Sequence, residues 1–332
     1  MKNGTWISIV ITKPMILVTL LIIGVVLAGV SFGTAYDRIQ RRFQGVKQGV
    51  SLAGHTVAGL LHEELYDAIS SIAEEHVTEA RNASYDWQSE QVNPEQVGRV
   101  IDVKSTVELV RKASTGEKVE FVIVEVLPSI TQAHFTPYYR GPSIDRKVSL
   151  MVNVDWGDQF IPSMLETFRE YDVTTTWFPT GRWVSNSPEM AKRIADAGHE
   201  VGNHGGWHGM ASKMGADEVR KLILDGEERI QAITGQKPRI FAPPAGDMNK
   251  QTVAIAGELG YKTILWTVDT IDWQRPAATV IIDRILSRVG NGALVLMHPT
   301  KPTAEALPHI IKELQSKEYA IVTVSELLGD EI

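Results

Sequence analysis

The stretch VSLMVNVDWG at residues 148–157 decides the fold, because an apolar run long enough for a buried strand ends there in Asp155 and a glycine turn. Strands that are apolar on both faces are typical of parallel sheets covered by helices. Outward from this stretch, further apolar runs lie at 173–179, 199–203, 239–242, 261–268, 293–297 and 319–324. Helical patterns alternate with them at 160–171, 188–197, 216–233, 249–258, 277–288 and 303–315. We therefore predict an α/β domain at 147–332, most economically a closed or nearly closed barrel of about seven parallel strands.

The first 35 residues predict a membrane or export segment. Lys2 and Lys13 precede the uninterrupted apolar run at 14–30, and Gly33-Thr34-Ala35 offers a small-x-small cleavage site. The run is longer than most signal-peptide cores and short for a spanning helix of about 20 residues. A signal-anchor and a cleaved signal peptide both remain open, and either one places the rest of the chain outside the cytoplasm.

Residues 36–136 predict a small α+β domain without a histidine–carboxylate cluster of its own. A helical pattern runs from 58 to 77, another covers 105–115, and 119–127 alternates like a strand. The proline- and glycine-containing segment 137–146 is the predicted linker to the barrel. Two readings of the small domain stay open, a peptidoglycan-binding module and a spacer that lifts the barrel off the membrane.

The amino-acid composition limits which partners and which metal ligands the chain can use. The formal net charge of −7 argues against nucleic acid as a partner, because phosphate binding needs a basic face. The chain contains no cysteine, so any metal must be held by nitrogen and oxygen ligands. A secreted chain without cysteine also suits a Gram-positive envelope.

Polar residues follow the predicted strands at their carboxyl ends, where barrel loops converge and build active sites. The set comprises Asp155, His204, His208, Pro243, Pro244, Asp272, Trp273 and His298. His204 and His208 stand four residues apart in GNHGGWHG, so one helical turn would present both imidazoles to one ion. Trp156, Trp207, Trp266 and Trp273 lie near the same rim and suit a cleft that stacks sugar rings.

From about residue 146 to 328 the chain resembles the polysaccharide deacetylase family, also known as the NodB homology family or carbohydrate esterase family four. The resemblance rests on NVDWG (153–157), HGGWH (204–208), FAPPAG (241–246), WTVDTIDW (266–273) and LMH (296–298) in that order. Within the family the chain is most similar to sporulation-associated deacetylases of endospore-forming bacteria. The resemblance implies a distorted (β/α) barrel that removes N-acetyl groups from GlcNAc or MurNAc units of peptidoglycan or a related amino-sugar polymer.

The resemblance also implies roles for individual residues. His204 and His208 match two ligands of a divalent metal, with zinc the expected ion. Asp155 matches the base that activates water, His298 the acid that protonates the departing amine, and Asp272 the carboxylate behind His298. The expected contacts to substrate come from Pro243, Pro244, Trp207 and Trp273.

Two positions depart from the family pattern. Trp156 stands where the family has a ligating aspartate, and Ala242 stands where an arginine normally pairs with the base. Asp155 could instead be the third ligand, and Asp158 or Asn153 could contribute an oxygen, but the base would then be missing. Two hypotheses follow: an envelope N-deacetylase with a degenerate metal site, and a silent relative that keeps the cleft as a glycan-binding module in cell-wall or spore assembly.

Overall fold

The computed structural model describes residues 12–329, so Lys2 of the predicted export segment lies outside the described residues. The helices are α1 (Lys13–Gln44), α2 (His62–Glu75), α3 (Val103–Lys112), α4 (Ile161–Glu170), α5 (Gly181–Asn186), α6 (Pro188–Asp196), α7 (Ala216–Thr234), α8 (Lys250–Glu258), α9 (Ala278–Leu286), α10 (Lys301–Ser316) and α11 (Val324–Leu328). The strands are β1 (Ser51–Leu52), β2 (His55–Thr56), β3 (Ser84–Asp86), β4 (Gln91–Asn93), β5 (Gly98–Ile101), β6 (Lys118–Val119), β7 (Ile123–Val126), β8 (Lys147–Val154), β9 (Thr176–Pro179), β10 (Glu200–Val201), β11 (Ile240–Phe241), β12 (Lys262–Thr263), β13 (Val268–Asp269), β14 (Leu294–Met297) and β15 (Ala320–Ile321).

The chain divides into two compact units. The smaller unit contains the described residues up to Ala80 together with Val97–Leu127, and the larger contains Arg81–Gln96 and the described residues from Pro128 onward. The predicted boundary between domains lies at 136, whereas this division assigns 81–96 and 128–136 to the larger unit. Hairpin β3–β4 therefore belongs with the unit that carries the parallel sheet.

The smaller unit combines α1, α2 and α3 with short strands, as expected for an α+β arrangement. Its core packs α2 against α3 through residues such as Leu65, Ile69 and Val107. Helix α1 has no buried residue, and among the described residues it is the one helix long and apolar enough to cross a membrane. At about 1.5 Å per residue it exceeds the roughly 30 Å of a bilayer core. The candidate cleavage point after Ala35 lies inside α1.

The larger unit is built on parallel strands, which confirms the predicted α/β class. One sheet has the order β10-β9-β8-β14-β13, β15 pairs with the start of β8, and β11 pairs with β12. Every one of these pairings is parallel. The segment predicted as one strand at 261–268 forms two short strands, β12 and β13. Closure into a barrel of seven strands stays a prediction.

Strand β8 is buried on both faces, which explains its unbroken apolar sequence. Val148, Leu150 and Val152 pack with the residues of α4 and α10 in the largest core cluster. Met151 points the other way, into a cluster with Phe178 and residues of β11 and β14. Because side chains alternate along a strand, Asn153 and Asp155 continue the Met151 face beyond the end of that cluster. The two polar residues thus lie where the parallel strands end.

Candidate active site

A cleft of about 330 Å³ lies at the carboxyl ends of the parallel strands. Of the residues predicted for the site, Asp155, His204, His208, Trp273 and His298 line it, together with Trp156 and Trp266. Asp272 lies behind His298 and is fully buried. Pro243, Pro244 and Trp207 do not line the cleft. Pro244 is buried, and Trp207 packs on a core cluster near Leu222 and Phe241.

Asp155 is held by two residues that follow β9. One carboxylate oxygen accepts a hydrogen bond from the Thr180 hydroxyl at 2.6 Å, and the other pairs with the Arg182 guanidinium at 2.5 Å. Arg182 was missed in the sequence, where the expected partner was an arginine at position 242. The register of β8 and β9 explains the contact, because Val154 lies opposite Pro179 and the residues after β9 are thus placed beside Asp155. The carboxylate therefore keeps a cationic partner without an arginine at 242.

Ala242 has a different role, because it is buried in the core and its carbonyl oxygen orients a histidine. His204 Nδ1 donates a hydrogen bond to that oxygen at 2.7 Å, which leaves Nε2 available in the cleft. Burial lowers the pKa of His204 to about 3, with smaller contributions from the nearby His208 and His298, so its imidazole is neutral.

His208 approaches His204 through an irregular loop. The two ring centroids lie 5.4 Å apart with the planes inclined by 73°. Residues 206–208 form a bend and no residue of 202–209 is helical, in contrast to the helical turn that the four-residue spacing suggested. Gly205 has a φ of +83°, and a Cβ there would lie 2.8 Å from a Leu222 side-chain carbon. The glycines of this run thus allow the chain to fold tightly over α7 and bring both imidazoles into one cleft.

His298 and Asp272 form a hydrogen-bonded pair. His298 Nδ1 donates to one Asp272 oxygen at 2.8 Å, while the His298 backbone N–H and the Thr303 hydroxyl each donate to the other at 2.6 Å. Ile271, immediately before Asp272, has a φ of +54°, an unusual conformation for a β-branched residue. That turn directs Asp272 back beneath the end of β14. The pair fixes the tautomer of His298 with the proton on Nδ1 and leaves its Nε2 for a ligand in the cleft.

Trp156 lies flat against His298. The ring centroids are 6.0 Å apart, the planes differ by 6°, and the residue is 42% exposed. Gly157 follows with a φ of +95°, and a Cβ there would lie 2.2 Å from the Pro299 carbonyl oxygen. This close approach holds the loop after β8 against the end of β14. The indole consequently forms one wall of the cleft.

The cleft lacks the ligand set that a metal of this family needs. Within residues 12–329, no three histidine, cysteine, aspartate or glutamate side chains are grouped so that they could hold an ion. His204 and His208 supply two nitrogens, but the negative charge of Asp155 is already paired with the Arg182 guanidinium, which disfavours a cation beside the same carboxylate. The amide oxygen of Asn153 is buried without a hydrogen-bond partner and is neutral. The residues present therefore do not fit a tightly bound divalent cation.

Comparison with known proteins identifies the family of the chain. Residues 140–264 match the family model for polysaccharide deacetylases. The Bacillus subtilis protein YlxY is 35% identical over 81% of this chain and 84% of its own length. The peptidoglycan-N-acetylglucosamine deacetylase PgdA of Listeria monocytogenes is 30% identical over 66% of this chain, and this chain spans about half of it.

Solved structures give the same family and add a distinction. The crystal structure of wild-type BA3943 from Bacillus anthracis, described as a CE4 family pseudoenzyme, has a TM-score of 0.58 to this chain. It is 36% identical and covers 80% of this chain and 94% of its own. A BA3943 mutant described as having restored enzymatic activity also has a TM-score of 0.58, is 35% identical, and covers 80% of this chain and 97% of its own.

Proposed function

This chain belongs to the polysaccharide deacetylase family, and we propose that its cleft binds N-acetylated amino-sugar units of peptidoglycan or a related polymer while hydrolysing them only weakly. Members of the family hydrolyse N-acetyl bonds and are in general metal-dependent. The proposal retains the family's substrate class and assigns the loss of activity to the ligand set. Its relative PgdA is named as a peptidoglycan-N-acetylglucosamine deacetylase, which supports peptidoglycan as the polymer.

One observation carries the proposal, the indole of Trp156 stacked on His298 where a ligating carboxylate is expected. An indole offers neither a negative charge nor a lone pair to a divalent metal. It also lies beside the imidazole that would protonate the departing amine, with the two ring planes nearly parallel. The similarity to a CE4 family pseudoenzyme over 80% of this chain supports the same interpretation.

The remaining side chains suit recognition of a sugar. Trp273 is 54% exposed and Trp156 is 42% exposed, so both present apolar faces in the cleft. The Asp155 carboxylate can accept from a sugar hydroxyl, because an ionised carboxylate has more lone-pair sites than its two protein donors use. His298 Nε2 can accept a hydrogen bond from a sugar hydroxyl or from the acetamide N–H, because its Nδ1 carries the proton donated to Asp272. Stacking faces with a few fixed polar groups are typical of small-ligand sites.

A second candidate, N-deacetylation at a rate comparable to active relatives, is favoured by the intact Asp272–His298 pair. A buried carboxylate that accepts three hydrogen bonds is the arrangement that a general acid requires behind its imidazole. That candidate needs a third metal ligand that the described residues do not provide. It is therefore the weaker of the two.

We further propose that α1 anchors the protein in the membrane, with the remaining chain on the extracytoplasmic side. The apolar surface of α1 is exposed over its whole length. The smaller unit then either binds peptidoglycan or acts as a spacer, and a role in spore or cell-wall assembly follows from the same placement. Protease accessibility in intact cells tests the orientation, because a cytoplasmic location predicts full protection.

Binding and hydrolysis should be measured separately on the full chain in detergent micelles. We expect retention on N-acetylated peptidoglycan, weaker retention on the same polymer after chemical removal of its acetyl groups, and little amine release with added Zn²⁺. Trp273→Ala should reduce retention, whereas Tyr139→Ala, an exposed aromatic outside the cleft, should not. Equal retention of both polymers would refute glycan recognition by the cleft. Rapid amine release by the unmodified chain would favour the second candidate.

A further inference from the structure

A second cavity lies in the larger unit, separate from the cleft, and has the same volume of about 330 Å³. Hairpin β3–β4 forms one wall through Tyr85, Glu90 and Val92, and the start of α8 forms the other. Phe135 contributes a second aromatic ring. The two walls come from segments about 160 residues apart in the chain. No residue of the proposed acid, base or metal site lines this cavity.

The walls of this second cavity are fixed by bonds at several points. Trp87 Nε1 donates to Glu258 at 2.8 Å, at the far end of α8, and Lys250 pairs with Glu90 at 3.1 Å, at its start. Glu95 accepts from the Gln132 backbone N–H at 2.9 Å, beside Phe135. Because these bonds already hold the two walls in place, the cavity is preformed and little conformational entropy is lost when a ligand binds.

The lining combines apolar faces with a charged edge. Tyr85 and Phe135 provide rings, Val92 and Met248 provide aliphatic surface, and the solvent-exposed Glu90–Lys250 pair adds charged groups to the lining. Tyr85 meets Trp87 edge to face with centroids 4.8 Å apart, and Trp87 remains 47% exposed. A pyranose ring has the complementary surface, with apolar C–H faces and hydroxyl groups around its edge. Aromatic rings with a few polar groups are the usual way to bind such a ligand.

A short loop joins the two cavities. Ala245 lines the cleft and Met248 lines the second cavity, so their Cα atoms lie at most about 11 Å apart. Asp247 holds the loop by accepting from the Ser212 backbone N–H at 2.8 Å and hydroxyl at 2.7 Å. A Cβ on Gly246 would lie 2.6 Å from the Trp266 ring, which itself lines the cleft. A polymer bound in the cleft can therefore continue across this loop.

From these observations we propose that the second cavity is a distal subsite that binds another sugar unit of the glycan strand held in the cleft. The inference rests on the proposed glycan recognition and extends it to a strand of several units. It also gives hairpin β3–β4 a function, because the hairpin is the part of the chain that completes the subsite.

The test compares short and long N-acetylglucosamine oligomers on the full chain in detergent micelles. We expect Tyr85→Ala to weaken binding of the hexamer about tenfold, as for the loss of one aromatic contact, and to leave binding of the dimer unchanged. Tyr139→Ala is the matched control, since Tyr139 is exposed and lines neither cavity. Hydrogen exchange of the unmodified chain provides a measurement without a variant. The hexamer should protect amides in 84–93 and 248–254, and the dimer should not.

The outcomes separate the two proposals. If the dimer binds and the hexamer neither protects the hairpin nor responds to Tyr85→Ala, the distal subsite is overturned and the cleft proposal stands. If neither oligomer binds, glycan recognition by the cleft fails and the subsite fails with it. Equal weakening of dimer and hexamer by Tyr85→Ala would also overturn the subsite, because the effect would then reach the cleft itself.

Discussion

Replacement of Trp156 by aspartate tests most directly whether this tryptophan weakens the proposed metal site. Trp156→Asp removes the ring that stacks on His298 and adds a carboxylate next to Asp155, in the cleft that already holds two imidazoles. His204 Nε2 is available because its Nδ1 donates to a backbone carbonyl. We therefore expect the variant to bind a divalent metal more tightly than the unmodified chain, since a charged third ligand joins two neutral ones.

The structure gives the expected size of two effects of Trp156→Asp, one on the free energy of unfolding and one on the metal affinity. Trp156 is 42% exposed and its stack on His298 is offset, so its loss should lower the free energy of unfolding by about 1 kcal/mol. Two unit charges about 4 Å apart attract by about 4 kcal/mol at an effective dielectric constant of about 20. Desolvation of the new carboxylate offsets part of this gain. We expect a rise in metal affinity of at least about tenfold, which corresponds to about 1.4 kcal/mol.

Calorimetric titration with Zn²⁺ and visible absorption with Co²⁺ measure affinity and coordination without any need for activity. Trp273→Asp is the matched control, because it adds the same charge to the same cleft from a tryptophan of similar exposure. An unchanged affinity in a folded Trp156→Asp variant would refute the assignment of Trp156 to the missing ligand position. An equal increase in both variants would show that added charge alone, without a third ligand, explains the result.

Three further predictions concern stability. Asp272→Ala should lower the free energy of unfolding by about 3 kcal/mol in denaturant titrations, because a buried acceptor of three hydrogen bonds is lost, whereas the exposed Asp145→Ala should have little effect. Burial lowers the pKa of His199 to about 4, so the unfolded chain binds the proton more tightly than the folded one. The free energy of unfolding should therefore fall by up to about 3 kcal/mol as the pH drops from 6.5 to 4, and His199→Asn should flatten this pH dependence. The Arg41 guanidinium and the Leu61 backbone N–H lower the pKa of Glu64 to about 2, so the contribution of the Arg41–Glu64 pair to stability should be complete above pH 4.5 and be lost as the pH falls towards 2. Carboxyl NMR titration measures this pKa, and Glu64→Gln is the control.

The convergence of Asp155, His204, His208 and His298 in one cleft was predictable from the sequence. Each follows an apolar run, and the ends of parallel strands meet at one edge of a sheet. Asp272 was predictable beside His298 only through the family resemblance. Its position depends on the left-handed turn at Ile271, which nothing in the local sequence indicates.

Other features escaped prediction because they depend on which segments pair. Arg182 contacts Asp155 since β9 lies next to β8 in a register that sets Pro179 opposite Val154. Segment 81–96 was assigned to the small domain by its place in the chain. The bond from Trp87 to Glu258, across 171 residues, helps to hold it in the larger unit.

The sequence by itself determined the α/β class, the absence of thiol ligands, the family, and the presence of Trp156 at the position where the resemblance expects a ligating aspartate. These properties depend on residue type and on periodicity along the chain, which burial and strand geometry impose locally. Only the tertiary structure decided that Trp156 lies on His298, that Arg182 replaces the expected partner of Asp155, and that a second cavity adjoins the cleft. Such contacts join side chains far apart in sequence, and they follow from strand register and side-chain conformation, which no local pattern encodes.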